Sequence, residues 1–158
     1  MSVDAGGSRL HTGEPCRKCY TFFMAYRTKT KKFGSSSYET LIKSSRRIFH
    51  DIENKTKRKP YIRSAFFKKE KVFFEVFWQH IKQKSFPDRA RRLKYFPCGI
   101  ELIEKSRERP NSKTSIDRKN EILHRFTGIT PDDDVFMVQI KEDIRTKRKY
   151  LASIFPIK

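Results

Sequence analysis

The 158-residue chain carries 37 Lys and Arg against 18 Asp and Glu, a formal charge of +19, and it combines 36% hydrophobic residues with 14 Phe. The length excludes two full domains and the phenylalanine content excludes a disordered basic tail. So large a positive excess points to a polyanionic partner, nucleic acid foremost, whose condensed counterions are released on binding. Residues 1–110 hold 27 of the basic residues against 11 acidic ones, so the excess is concentrated there. No apolar run is long enough to cross a bilayer, and Met1 to Gly7 lack a signal-peptide apolar region, so no membrane partner and a cytoplasmic location are expected. Cys16, Cys19 and Cys98 make an odd cysteine count, which argues against a disulfide framework.

In chain order, residues 1–34 show no sustained period and contain four of the six glycines, and they are expected to be a flexible or peripheral segment. Residues 35–158 then form a single domain. Leu41, Ile42, Ile48, Phe49 and Ile52 fall on one side of a helix over about 36–57, with Ser36 and Glu39 at capping-box spacing. The run from Phe66 through Ile81 predicts a long helix over about 65–84. A third helix over about 87–106 starts near Pro87 and is kinked or split by Pro97. Residues 107–118 read as a loop.

Beyond that loop the period shortens to two, predicting strands over about 121–127, 135–142 and 149–155. Ile122, His124 and Phe126 share one side of the first, with Leu123, Arg125 and Thr127 opposite. Phe136, Val138 and Ile140 share a face of the second, against Met137, Gln139 and Lys141. The expected fold is α+β, with N-terminal helices packed on a C-terminal antiparallel sheet of three or more strands, leaving one sheet face free for function.

Cys16 and Cys19 with His11 are half of a zinc site at most, so no metal and no cofactor is expected. The phosphate-loop, dinucleotide, zinc-peptidase and nucleophile-elbow patterns are absent, and Asp132, Asp133 and Asp134 share one turn rather than a catalytic scaffold. What remains is metal-independent chemistry. RNA supplies its own 2′-hydroxyl nucleophile, so a protein needs only proton transfer and stabilisation of charge on phosphorus. His124, Arg125, Gln139, Lys141 and Ser153 lie on neighbouring predicted strands, and His80 closes the aromatic helix. Lys68, Lys69, Arg89, Arg91, Arg92, Lys94 and Gln139 are the candidate RNA contacts.

The motifs Ala65-Phe66-Phe67-Lys68-Lys69-Glu70-Lys71, Phe77-Trp78-Gln79-His80, Asp88-Arg89-Ala90-Arg91-Arg92-Leu93, Ile122-Leu123-His124-Arg125-Phe126, Val138-Gln139-Ile140-Lys141-Glu142 and Ser153-Ile154-Phe155-Pro156 carry a likeness. They resemble a group of small bacterial proteins associated with mobile elements. The helix-then-sheet layout, ending in a strand with Ser, an aromatic and Pro, is similar to the barnase/EndoU/colicin/RelE-like ribonuclease superfamily. The resemblance implies an RNA-cleaving toxin or effector, with an antitoxin or immunity protein as a further partner. It implies that Arg125 and Lys141 face the scissile phosphate, that His124 or His80 transfers the proton, and that Ser153 positions phosphate. Strand register decides which histidine serves. A non-catalytic basic nucleic-acid-binding or interaction protein is the alternative.

Overall fold

The structure, a computed structural model, describes residues 24–115 and 117–157, so Cys16, Cys19 and His11 lie outside the described residues. Among the described residues, four helices cover one face of a curled seven-stranded mixed sheet, an α+β fold. The elements in chain order are β1 (Ala25–Arg27), α1 (Tyr38–Asn54), β2 (Tyr61–Ser64), β3 (Glu70–Phe73), α2 (Glu75–Lys82), α3 (Phe86–Leu93), α4 (Phe96–Lys105), β4 (Asn111–Thr114), β5 (Glu121–Ile129), β6 (Val135–Asp143) and β7 (Lys149–Pro156). The strands run β1-β5-β6-β7-β3-β2 across the sheet, with β4 also on β5. β1 on β5 and β3 on β7 are parallel, and the other pairs are antiparallel. The sheet is therefore mixed, not purely antiparallel as expected.

α1 forms because Leu41, Ser45 and Ile52 recur at helical spacing and bury on one side. Its N-cap is Ser37, without a side-chain capping bond, and Ser36 instead accepts from Lys94, so the expected capping box is not formed. Thr56 reinforces the helix end by donating its hydroxyl to the carbonyls of Ile52 and Glu53, which also accept the backbone N–H groups of Lys55 and Thr56. Pro97 sits in the first turn of α4 and splits the third expected helix into α3 and α4.

Two expectations fail. The long helix over 65–84 is instead the end of a β2–β3 hairpin followed by the two-turn α2. Ile62 and Val72 pair across that hairpin and bury, while its turn holds Lys68 and Lys69 at φ 53° and 64°, a left-handed backbone that two lysines do not announce. The 107–118 loop contains β4, which pairs with β5 from Asn111↔Arg125 to Thr114↔Ile122 and is exposed throughout, so its sequence carries no alternation to read.

Residues 24–34 are likewise not peripheral. After β1, the backbone N–H groups of Lys29 and Thr30 donate to the buried Glu101 carboxylate at 2.9 and 3.2 Å, and Cys98 Sγ donates to the Thr30 carbonyl at 3.2 Å. Arg27 and Lys32 pair with Asp133 and Asp134, tying the segment to the β5–β6 turn. Burial pushes the Cys98 thiol up to about 11, so it stays protonated and packs as a small apolar group.

The core lies between helices and sheet, with Phe74, Phe77, Phe96 and Phe136 fully buried. α4 comes unusually close to the strands, and two glycines permit it. A Cβ on Gly99 would lie 2.4 Å from Ile154 Cδ1, and one on Gly128 would lie 2.3 Å from Phe136 Cζ and 2.8 Å from Leu102 Cδ1. Gly128→Ala is therefore expected to lower the unfolding free energy by about 1–3 kcal/mol through overpacking, read as an earlier urea midpoint with an unchanged slope.

Candidate nucleic-acid interface

Strand alternation sorts the sheet into two faces. Rows Phe126↔Val138↔Ile154 and Gly128↔Phe136 point to the helices, whereas Arg125↔Gln139↔Ser153 and Thr127↔Met137↔Phe155 point away. No element among the described residues packs over this second face, and none of those six residues is buried. A β-bulge shapes its centre. Gln139 pairs with Ser153 and Ile140 with Leu151, so Ala152 is an extra residue outside the ladder. Simple alternation from Tyr150 would turn Ser153 inward; the extra residue restores it to the open face.

The bulge also reaches the helices. β3 pairs with β7 only at Lys149 and Tyr150, so the second half of β7 is flanked by α2 and α3 instead of a strand. His80, at the end of α2, has Nδ1 3.0 Å from the Ala152 carbonyl oxygen. A carbonyl only accepts, so Nδ1 donates, and the neutral ring keeps Nε2 as its basic nitrogen.

Arg92 comes from the last turn of α3. Its Nη1 donates to Ser153 Oγ at 2.6 Å and its Nε to Asp88 Oδ2 at 3.1 Å. Burial works to raise the Asp88 carboxyl, but Arg91 and Arg92 outweigh it and hold the group below the usual carboxylate range. The Arg92 guanidinium, 16% exposed, is thus fixed with one edge toward the serine. The guanidinium carbons of Arg92 and Arg125 lie 5.4 and 5.9 Å from the centre of the Phe155 ring.

These groups border a cleft of about 360 Å³ lined by His80, Gln83, Lys84, Arg92, Gln139, Ser153 and Phe155. It offers an oriented guanidinium, a hydroxyl, two amides and an ammonium as donors suited to a phosphodiester, with a basic imidazole nitrogen beside them. Of the expected catalytic residues the structure brings His80 and Ser153 together here, with Arg125 beside them across Phe155. Gln139 and Arg92, expected as RNA contacts, belong to the same cleft. Phe155, Gln83 and Lys84 were not singled out as site residues from the sequence, although Phe155 stands in the Ser-Ile-Phe-Pro motif.

His124 is not part of it. It lies on the opposite face of β5 from Arg125, 7% exposed, on the same side as the buried Phe126 and with its ring edge-to-face with Phe67 at 5.0 Å. Its Nε2–H donates to Glu142 Oε2 at 2.7 Å, and in the neutral ring the Ser112 hydroxyl donates to Nδ1 at 2.6 Å. Lys149 completes this cluster, 3.2 Å from Glu142 Oε1, paired also with Glu70 and 4.8 Å above the Phe67 ring. Burial works to raise the Glu142 carboxyl, but His124 and Lys149 overcome it and keep it low.

The other expected residues are dispersed. Lys141 is on the open face one row away and pairs with Glu121 at 2.8 Å. Arg89 donates to the carbonyls of Lys82 and Lys84 and so closes the end of α2. Arg91 pairs with Asp88 at 2.9 Å, and Lys94 donates to Ser36 at 3.2 Å. Lys68 and Lys69 stand exposed at the hairpin turn. Among the described residues no cluster of three His, Cys, Asp or Glu could hold a metal ion, and no helix is long and apolar enough to cross a membrane. The chain matches no family model, no curated protein and no solved structure.

Proposed function

We propose that the protein binds RNA on its open sheet face and cleaves it without metal at the His80–Arg92–Ser153 cleft. The observation that carries this reading is the convergence of an oriented imidazole, an oriented guanidinium and a hydroxyl on one cleft, at the border of an uncovered cationic sheet face. Nε2 of His80 takes the proton of the 2′-hydroxyl, the 2′-oxygen attacks phosphorus, and the bond to the 5′-oxygen breaks. Arg92 and Arg125 stabilise the charge on the non-bridging oxygens, Ser153 and Gln139 position the phosphate, and solvent protonates the leaving oxygen. A cytoplasmic toxin or mobile-element effector, restrained by an antitoxin or immunity protein, is the biological setting this activity suits.

A second reading is a non-catalytic nucleic-acid-binding protein. It is favoured by the cleft lining, which has one imidazole and no carboxylate and so no evident acid and base pair. Incubation with transfer and messenger RNA in EDTA separates the two. The expected products carry 2′,3′-cyclic phosphate and 5′-hydroxyl ends, with Arg92→Ala and Arg125→Ala each slowing cleavage at least tenfold. Binding without cleavage of any RNA would establish the second reading, and cleavage indifferent to both substitutions would move the site elsewhere.

A further inference from the structure

A third row of the open face lies next to the cleft. Its register runs Lys141↔Tyr150 from β6 to β7, Tyr150↔Phe73 into β3 and Phe73↔Tyr61 into β2, which puts three aromatic rings on three adjacent strands. Their centres are 6.0 Å apart from Tyr150 to Phe73 and 6.1 Å from Phe73 to Tyr61. All three are half-buried, on a face no described element covers. Rings in such numbers outside a core are unusual unless something lies on them.

The charges beside them define what that is. Lys71 Nζ is 4.6 Å and the Arg63 guanidinium carbon 5.4 Å from the centre of the Tyr61 ring, and both side chains are exposed. Lys141, at the other end, is neutralised by Glu121. Arg63 also donates to the Lys69 carbonyl at 2.9 Å, and among the described residues no carboxylate pairs with it or with Lys71, so the strip sets apolar rings beside exposed cations at its β2–β3 end, a match for a ligand that is itself an alternation of flat rings and anions. A protein segment or a helical partner would not need both.

We propose that Tyr150, Phe73 and Tyr61 form a stacking platform for the bases of unpaired RNA, with Arg63 and Lys71 holding its phosphates. This rests on the RNA-binding reading above and adds the substrate class: single strands, not duplexes. A duplex hides its base faces in its own stack. A single strand stretched beyond its stacked repeat of about 3.4 Å can set successive bases on rings 6 Å apart. Tyr150 and Ser153 are separated by the bulge and stand opposite Lys141 and Gln139, two positions apart on β6, about 7 Å at the usual strand rise. The platform therefore begins within a few nucleotides of the phosphate held at Ser153, and the chain crosses the strands from the cleft toward β2.

The test is fluorescence anisotropy with a labelled 2′-O-methyl RNA of about 12 nucleotides, single-stranded or annealed to its complement. This probe lacks a free 2′-hydroxyl, so binding is read whether or not the protein cuts RNA. Tyr150→Leu and Phe73→Leu keep an apolar side chain and the same net charge, and a melting curve for each establishes folding. Each is expected to weaken single-strand binding about 5- to 150-fold and to leave duplex binding unchanged, while the native protein prefers the single strand. Single strand and duplex bound equally, or single-strand affinity unmoved by both substitutions in folded protein, would overturn the platform. Should both leucine variants unfold, the comparison passes to Tyr61→Leu on the edge strand, judged by the same two readouts. Ring-dependent binding with no cleavage of ordinary RNA would keep the platform and reject the nuclease; cleavage with ring-independent binding would do the reverse.

Discussion

His80→Ala is expected to slow RNA cleavage in EDTA by about 100- to 10,000-fold while RNA affinity stays within a few-fold. The asymmetry follows from the two ring nitrogens. Nδ1 has a structural task, donating to the Ala152 carbonyl, and Nε2 is left for the proton transfer proposed above. Alanine removes both, so the informative partner is His80→Asn. Its amide can still donate to the carbonyl but cannot accept and release a proton near neutrality. Asn as slow as Ala, with a native melting curve, assigns the loss to proton transfer. Asn restored toward the native rate would show that His80 only holds β7 in place, and the catalytic role would be withdrawn. The products' cyclic phosphate ends, read by mass, confirm that residual cleavage is the same reaction.

Lys149→Met is expected to cost about 3–5 kcal/mol of stability. The Lys149 side chain is 4% exposed, and Glu142, at 17%, has His124 and Lys149 as its partners. Removing the lysine leaves the Glu142 carboxylate with the His124 N–H but no cation beside it, in a site where desolvation already works against it, whereas Glu70, 55% exposed, simply returns to water. Urea unfolding at neutral pH measures the loss. The Glu142 carboxyl titrates below the ordinary glutamate value of 4.5 in the folded state. Its contribution is therefore fully present above that value and disappears as pH falls through the lowered folded value, because the unfolded state then binds the proton more readily. The gap between native protein and Lys149→Met should narrow accordingly below pH 4.5. A gap that is constant from neutral to acid pH would show that the ion pair is not what Lys149 contributes.

The meander was the most legible part of the chain. In β5 and β6 the alternation of Phe126, Phe136, Val138 and Ile140 with Arg125, Met137 and Gln139 gives both the strands and their faces, since one buried face imposes a period of two. The same alternation puts His124 and Arg125 on opposite sides of β5, but only the register shows which of the two sides is open. α1 was legible for the analogous reason, through its single apolar stripe. The β2–β3 hairpin was not, because Phe66 and Phe67 at its turn and Val72, Phe74 and Phe77 after it mimic a helical recurrence, and the turn is made by lysines rather than glycine or asparagine. β1 and β4 are strands only because the edge of β5 offers them unpaired backbone groups. The site was half legible. Arg125 beside Gln139 follows from alternation, but His80 and Arg92 meeting Ser153 depends on α2 and α3 lying along the unpaired half of β7, a tertiary contact with no local signal.

Ala152 gives this arrangement an unusual genetic sensitivity. The residue is supernumerary in the β6–β7 ladder, and Ser153, Ile154 and Phe155 would keep their present sides of the sheet in a chain from which it had been excised. What would vanish is the carbonyl that tethers the imidazole. Under the proposed function, loss of one codon would thus disarm the cleft while sparing the open sheet face, so that a cutter and a holder of RNA would stand a single in-frame deletion apart.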